Sequence, residues 1–219
     1  MTDTAAARRH MVDGQVRTAD VTDLRIINAM LEVPREAFVP PALAGLAYLD
    51  MALPVNEPGT PARCLLKPMV LAKLIQALEL APTDRVLVVG CATGYSAAVL
   101  SRVAGQVIAL EQDAKLAQHA TDALASQPNV TVVKGPLVEG WAEAAPYDAI
   151  LIDGGVEQVP KTFCRQLKDG GVLACVLGTG PGASAMLYRR SGDELGGRAI
   201  FDAAAAELPG FAKVPVFAF

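Results

Sequence analysis

The stretch Arg85-Val-Leu-Val-Val-Gly-Cys-Ala-Thr-Gly-Tyr95, followed by Val107-Ile-Ala-Leu-Glu111, leaves this chain few folds to choose from. A short apolar run rich in β-branched residues predicts a strand buried on both faces. Gly90 and Gly94 allow a tight turn from which a helix departs, and a second apolar strand ends on an acid. Strand, glycine turn, helix and acid-terminated strand make the framework by which α/β proteins hold the ribose of a nucleotide-like ligand. Glu111 follows Gly90 by 21 residues, the spacing suited to accepting hydrogen bonds from a ribose diol. The turn departs from its strictest form at Ala92, where a middle glycine would stand.

The rest of the chain supports an α/β reading. Strands are predicted over 85–90, 106–110, 130–134, 147–152 and 171–177, with helices over 94–104, 113–126 and near 160–168. Beyond Gly180, segments 184–190, 197–203 and 212–218 read as strands, antiparallel and separated by the turns at Ser191-Gly192-Asp193 and Pro209-Gly210. Residues 5–46 carry helical spacing, with Asp20 or Thr22 as cap for a helix through Ile26, Ile27, Met30 and Leu31. A loop over 50–65 leads to a helix starting near Pro68, with Val70, Leu71, Leu74, Ile75 and Leu78 as its buried stripe. The expected architecture is a doubly wound, Rossmann-like sheet, mostly parallel with antiparallel C-terminal strands, under an N-terminal helical cap. Residues 1–219 are read as one domain: 1–67 form the cap and substrate loop, and 68–219 the core and C-terminal strands.

Composition narrows the function classes. The net charge is −4, and the basic residues cluster only at Arg8-Arg9 and Arg189-Arg190, so nucleic acid is an unexpected partner. No uncharged apolar run reaches the roughly 18 residues of a membrane span, and no apolar core of signal-peptide length follows the N-terminus. A soluble cytoplasmic protein is expected. Cys64, Cys91, Cys164 and Cys175 form no CxxC pair and read as free thiols, with no metal site expected.

Ligands of such sheets bind outside the carboxyl ends of the strands, at the switch point. The candidate wall is the turn Gly90, Cys91, Ala92, Gly94 and Tyr95, together with Glu111 and Asp153 at the ends of later strands. Taken singly, Gly90 could merely turn the chain and Glu111 could be a solvated acid at a helix start. Jointly, in register with the strand–helix–strand pattern, the pocket reading is the stronger. Asp153 could equally be a turn-starting aspartate. Trp141 is read first as a packing residue. The dinucleotide fingerprint lacks its third glycine, and no Gly-Lys-Ser/Thr follows for a P-loop. The spacing suits S-adenosylmethionine, which has a ribose but no pyrophosphate.

Several motifs in order resemble the protein-L-isoaspartate O-methyltransferases. These are Met11-Val-Asp-Gly-Gln-Val16, Val33-Pro-Arg-Glu-Ala-Phe-Val-Pro40, Ala47-Tyr-Leu-Asp50, Val86 to Leu100, Tyr147-Asp-Ala-Ile-Leu-Ile152, and Gln166-Leu-Lys-Asp-Gly-Gly171. The resemblance implies methyl transfer from S-adenosylmethionine to the α-carboxylate of isoaspartyl residues in damaged proteins. It implies a protein or peptide bearing isoaspartate as partner, and leaves the oligomeric state open. It places Gln112 beside Glu111, and Pro136 and Leu137 on the adenine side, where the family has an acid between glycines. It also exposes departures. The substrate-side hydroxyl of the family falls on Leu66 and the preceding threonine on Cys64, with Asp50 nearby, so no catalytic residue is assigned. An acid of the first strand falls on Val88. Losing one donor that acts in a transition state typically costs on the order of a hundredfold in rate. Two alternatives stand beside the methyltransferase reading: a non-catalytic relative that binds cofactor or protein, and a methyltransferase with another acceptor.

Overall fold

The computed structural model describes residues 3–57, 60–178 and 180–213. Helix α1 (Thr4–Met11) starts at Asp3, whose carboxylate accepts from the amides of Ala5 and Ala6, and runs into a π-helical turn over Val12–Val16. Helix α2 (Leu24–Glu32) is capped by Asp23, which accepts from the Arg25 amide, rather than by Asp20 or Thr22. The reason is backbone: the chain leaves the preceding turn through Asp20 at φ 63°, so the helix begins only after it. Helix α2 ends at Val33, because the residue before Pro34 is pushed into extended conformation (φ −75°, ψ 117°).

Within the expected loop, β1 (Leu53–Pro54) and β2 (Cys64–Leu65) form a short antiparallel ribbon. Helix α3 (Pro68–Ala77) buries Val70, Leu71, Leu74 and Ile75, as its spacing predicts. Its Gln76 side chain ties back to the start of α2, accepting from the amides of Thr22 and Asp23 and donating to the Asp20 carbonyl.

The core then alternates. Its elements are β3 (Arg85–Val89), α4 (Tyr95–Leu100), β4 (Gln106–Glu111), α5 (Ala114–Ala123), β5 (Val130–Lys134), β6 (Tyr147–Val156), α6 (Lys161–Gln166), β7 (Leu167–Leu177), β8 (Ser184–Ser191) and β9 (Glu194–Asp202). They form one seven-stranded sheet in the order β5-β4-β3-β6-β7-β8-β9. The pairs from β5 through β7 are parallel, and the β7–β8 and β8–β9 pairs are antiparallel. Strand β5 is only half-buried, unlike β3 and β4, because it closes the sheet edge. The strand expected over 212–218 falls outside the described residues from 214 on; Ala212 and Lys213 are not in a strand.

Because side chains alternate across a strand, the core divides into two apolar layers. One joins Val86, Val88, Val107 and Leu151 to Met11, Ile26 and Met30 of the N-terminal segment and Leu74 of α3. The other joins Leu87, Val89, Leu110, Ile152 and Phe163 to Leu208 and Phe211, which follow the last strand. No helix among the described residues is long and apolar enough to cross a membrane.

Candidate functional site

The sheet order reverses between β3 and β6, so the carboxyl ends of β3, β4 and β6 face one crevice, the place where α/β sheets bind ligands. The turn after β3 is built by backbone. Gly90 and Cys91 both donate to the Leu110 carbonyl, at 2.9 and 3.1 Å, which pins the turn to the end of β4. Gly90 and Gly94 adopt φ of 78° and 99°, and Ala92 adopts φ of 51°, all in the left-handed region. Ala92 therefore takes the conformation that a glycine at its position would adopt freely.

Glu111, at the end of β4, is completely buried. Its carboxylate accepts five hydrogen bonds: Arg63 Nη1 at 2.6 Å, Arg63 Nη2 at 2.7 Å, and the amides of Ala92 (2.8 Å), Gln112 (2.9 Å) and Asp113 (3.0 Å). A carboxylate offers about four lone-pair sites, so its acceptor capacity is filled. The bidentate arginine comes from the base of the β1–β2 ribbon, where the Val55 amide donates to the Arg63 carbonyl and the Arg63 amide to Asn56 Oδ1. Burial opposes the charge of Arg63, but the bonds and charge of Glu111 outweigh it and hold the guanidinium pKa above its ordinary value.

A second group enters from the opposite side. Residues 203–211 cross the end of β6, with Leu208 N–H donating to the Gly155 carbonyl and Gly155 N–H to the Ala206 carbonyl, both at 2.8 Å. Gly154 and Gly155 admit this crossing. A Cβ on Gly155 would meet the Ala205 carbonyl at 2.9 Å, and one on Gly154 would meet Leu208 Cγ at 2.6 Å. A Cβ on Gly90 would meet Leu208 Cδ1 at 3.0 Å and Arg63 Nη2 at 3.3 Å. Leu208 and Arg63 therefore both lie on the face of the glycine turn that a ligand would approach.

Asp153 stands where β6 bulges against β7, in the register shift between Leu151 and Gly155. Its Oδ1 has no hydrogen-bond partner among the described residues, and neither do Ser96 Oγ, Tyr95 OH and Arg35 Nη1, all of them buried. Burial raises the Asp153 pKa to about 6, against the lowering effects of Ser96, Arg63 and Arg35. Arg35 donates Nε–H to the Ala47 carbonyl and Nη2–H to the Leu66 carbonyl, and lies 4.8 Å above the Tyr95 ring. The Cys91 thiol is pushed well above its ordinary pKa, first by burial and then by the charges of Glu111 and Asp153, which argues against a thiolate nucleophile.

Of the residues expected at the site, Gly90, Cys91, Ala92, Glu111 and Asp153 converge on this crevice. Gly94 faces the other way, toward Leu124 and Ala120 of the α5 end, and Tyr95 packs edge-on to Phe38. Leu137 is buried in the layer that holds Leu110 and Phe163, whereas Pro136, Gln112 and Asp50 are exposed. Leu66 is buried and Cys64 is half-buried. Val88 is core, and Trp141 packs over Gly135, where a Cβ would meet its ring at 3.2 Å. Sequence reasoning missed Arg63 and Leu208. The signals for them were a lone arginine in a segment read only for its hydroxyls, and the glycine pair that follows Asp153.

The family model described as Protein-L-isoaspartate(D-aspartate) O-methyltransferase (PCMT) matches residues 6–200. A protein-L-isoaspartate O-methyltransferase of Pelotomaculum thermopropionicum is 40% identical over 191 residues, covering 86% of this chain and 82% of its own length. One from Methylorubrum extorquens is 41% identical over 191 residues, covering 87% and 82%. A solved protein-L-isoaspartate O-methyltransferase superposes with TM-score 0.81 at 29% identity, covering 93% of this chain and 66% of that one, just under two thirds. A second structure shares the fold with TM-score 0.72 at 17% identity, covering 95% and 99%; it is a putative family enzyme of Plasmodium falciparum in complex with S-adenosyl-L-homocysteine.

Proposed function

The chain belongs to the protein-L-isoaspartate O-methyltransferase family, and from that premise we propose that it is an S-adenosylmethionine-dependent methyltransferase acting on the carboxylate of isoaspartyl residues. The observation that carries this reading is the Gly90–Gly94 turn with Glu111 buried beside it at the switch point, inside the matched residues. The partner is a protein or peptide bearing isoaspartate, and the setting is cytoplasmic protein repair. The acceptor needs little help. A carboxylate with a pKa of about 4 is already ionised at neutral pH, so the absence of a thiolate at Cys91 removes nothing essential. Bound cofactor would supply the methyl group.

The pocket in its present arrangement does not fit that cofactor. Glu111 has no free lone pair for a ribose diol, and Leu208 covers the faces of Gly90 and Gly154. The same Arg63–Glu111 pair favours a second reading, a family member that holds no cofactor and serves as a binding module.

Incubation with millimolar S-adenosylmethionine and a peptide carrying one isoaspartyl residue, against its aspartyl counterpart, tests the proposal. Ester formation on the isoaspartyl peptide alone is the expected result. Methylation of both peptides alike, or of neither, overturns it.

A further inference from the structure

The crevice is filled by the chain itself, and the filler has the chemistry of what it displaces. Where a ribose would present two hydroxyl donors to Glu111, Arg63 presents two N–H donors at 2.6 and 2.7 Å. Where an apolar surface would lie on the glycine turn, Leu208 lies within 3.0 to 3.1 Å of the position of a Gly90 Cβ. Neither group comes from the sheet. Arg63 rides on the ribbon loop, and Leu208 on a segment beyond residue 200, where the family match ends. That segment is held at its far end by Phe211, stacked on Phe163 with centroids 6.3 Å apart, and by the Lys213 amide donating to Glu157.

The filling is incomplete on its polar side. Asp153 is 4% and Ser96 is 1% exposed, and although the Ser96 hydroxyl lies close enough to lower the Asp153 pKa, neither Asp153 Oδ1 nor Ser96 Oγ makes a well-formed hydrogen bond among the described residues. A crevice that had become ordinary core would have lost or paired these groups, since buried polar atoms are almost always bonded. Retained hydrogen-bonding capacity beside an apolar filler points to a site still built for a polar ligand.

We propose that Arg63 and Leu208 form an intramolecular plug that competes with S-adenosylmethionine for the nucleoside pocket. Cofactor entry then requires the Arg63 loop and the 203–211 segment to withdraw. The proposal rests on the cofactor reading above. A ligand that binds only the unplugged state has its affinity reduced by the fraction of chains in that state.

Calorimetric titration of S-adenosylhomocysteine into the full chain and into Leu208→Ala tests the competition. The variant is expected to bind at least tenfold more tightly, and Arg63→Gln/Leu208→Ala more tightly still. Because loss of Arg63 strands a buried carboxylate and can unfold the chain, the test does not depend on that variant. Hydrogen exchange on the unmodified protein gives an independent reading. The Leu208 and Gly155 amides, bonded in the plugged state, are expected to exchange at least tenfold faster under saturating ligand. Affinity of Leu208→Ala within twofold of the parent, or exchange at Leu208 unchanged by bound ligand, overturns the plug and leaves the cofactor reading standing. No binding at millimolar ligand to either protein, with both shown folded by circular dichroism, overturns the cofactor reading and the competition with it.

Discussion

Two carboxylates are buried in one crevice, on the strands β4 and β6 that flank β3, and their surroundings differ sharply. Glu111 is saturated by a bidentate arginine and three amides, whereas Asp153 keeps an oxygen without a partner. A charge removed from water must be paired, or it gives way to its neutral form. Glu111 has been paired by recruiting a residue from a loop distant in sequence. Asp153 has not, and burial drives its pKa up to about 6. The first acid is thereby locked into structure, while the second is left able to change its protonation state or meet a ligand.

The largest effect should come from unlocking the first. Replacing Arg63 with leucine leaves Glu111 charged and unpaired in a fully buried position, and urea unfolding should register a loss of about 3–5 kcal/mol. Removing both charges together, as Arg63→Leu/Glu111→Leu, should restore most of that loss, because an apolar pair is often as stable as a buried ion pair. A loss below about 1 kcal/mol in the single variant would mean that Glu111 is secured by the amides alone.

Asp153 should respond to pH instead. Its pKa is near 3.8 when unfolded and about 6 when folded, so between these values the folded chain holds the extra proton. Its contribution to stability is full below the lower value and is lost as pH rises through the upper one. Asp153→Asn cannot titrate. Relative to the parent, that variant should therefore gain on the order of 2–3 kcal/mol between about pH 4 and pH 7.5, with most of the change complete by about pH 6.5. Parallel stability profiles for the two proteins would show that Asp153 titrates as an ordinary exposed carboxylate.

The difference between these two acids also measures what the sequence can convey. The sheet was legible because parallel strands covered on both faces require unbroken apolar runs, and 86–89 and 107–110 are such runs. The place of Glu111 was legible through its spacing from the glycine turn. Its partner was not, because Arg63 lies 48 residues away in a loop with no periodicity to aim it. Asp153 read equally as a pocket acid and as the start of a turn at Gly154-Gly155. The glycines instead let another stretch of backbone cross at close range, with the Ala205 carbonyl 2.9 Å from where a Cβ of Gly155 would be. Close approach of two backbones remote in sequence leaves only the absence of side chains as its trace. The capping residue of α2 was misplaced by the same kind of gap, because the left-handed turn at Asp20 is set by local backbone geometry that hydrophobic spacing does not encode.

Ala92 offers the smallest and most pointed test of the first acid. At φ 51° its Cβ lies in the region that costs an L-residue roughly 1–2 kcal/mol, so Ala92→Gly should relieve strain. Against that stand the lost burial of one methyl, about 0.8 kcal/mol, and the added freedom of glycine in the unfolded chain, about 0.4–1 kcal/mol. These terms nearly cancel, and the variant should unfold within about 0.5 kcal/mol of the parent. What holds the alanine in this conformation is then its amide, which donates to Glu111 Oε2 at 2.8 Å. The Arg63→Leu background sharpens the point. With the carboxylate no longer fixed by arginine, the amide's grip on the turn weakens and Ala92 is free to relax out of the left-handed region. Ala92→Gly then has less strain to relieve and should compare less favourably with its background than it does in the parent. Equal effects in the two backgrounds would show that the turn keeps its shape independently of the Arg63–Glu111 pair.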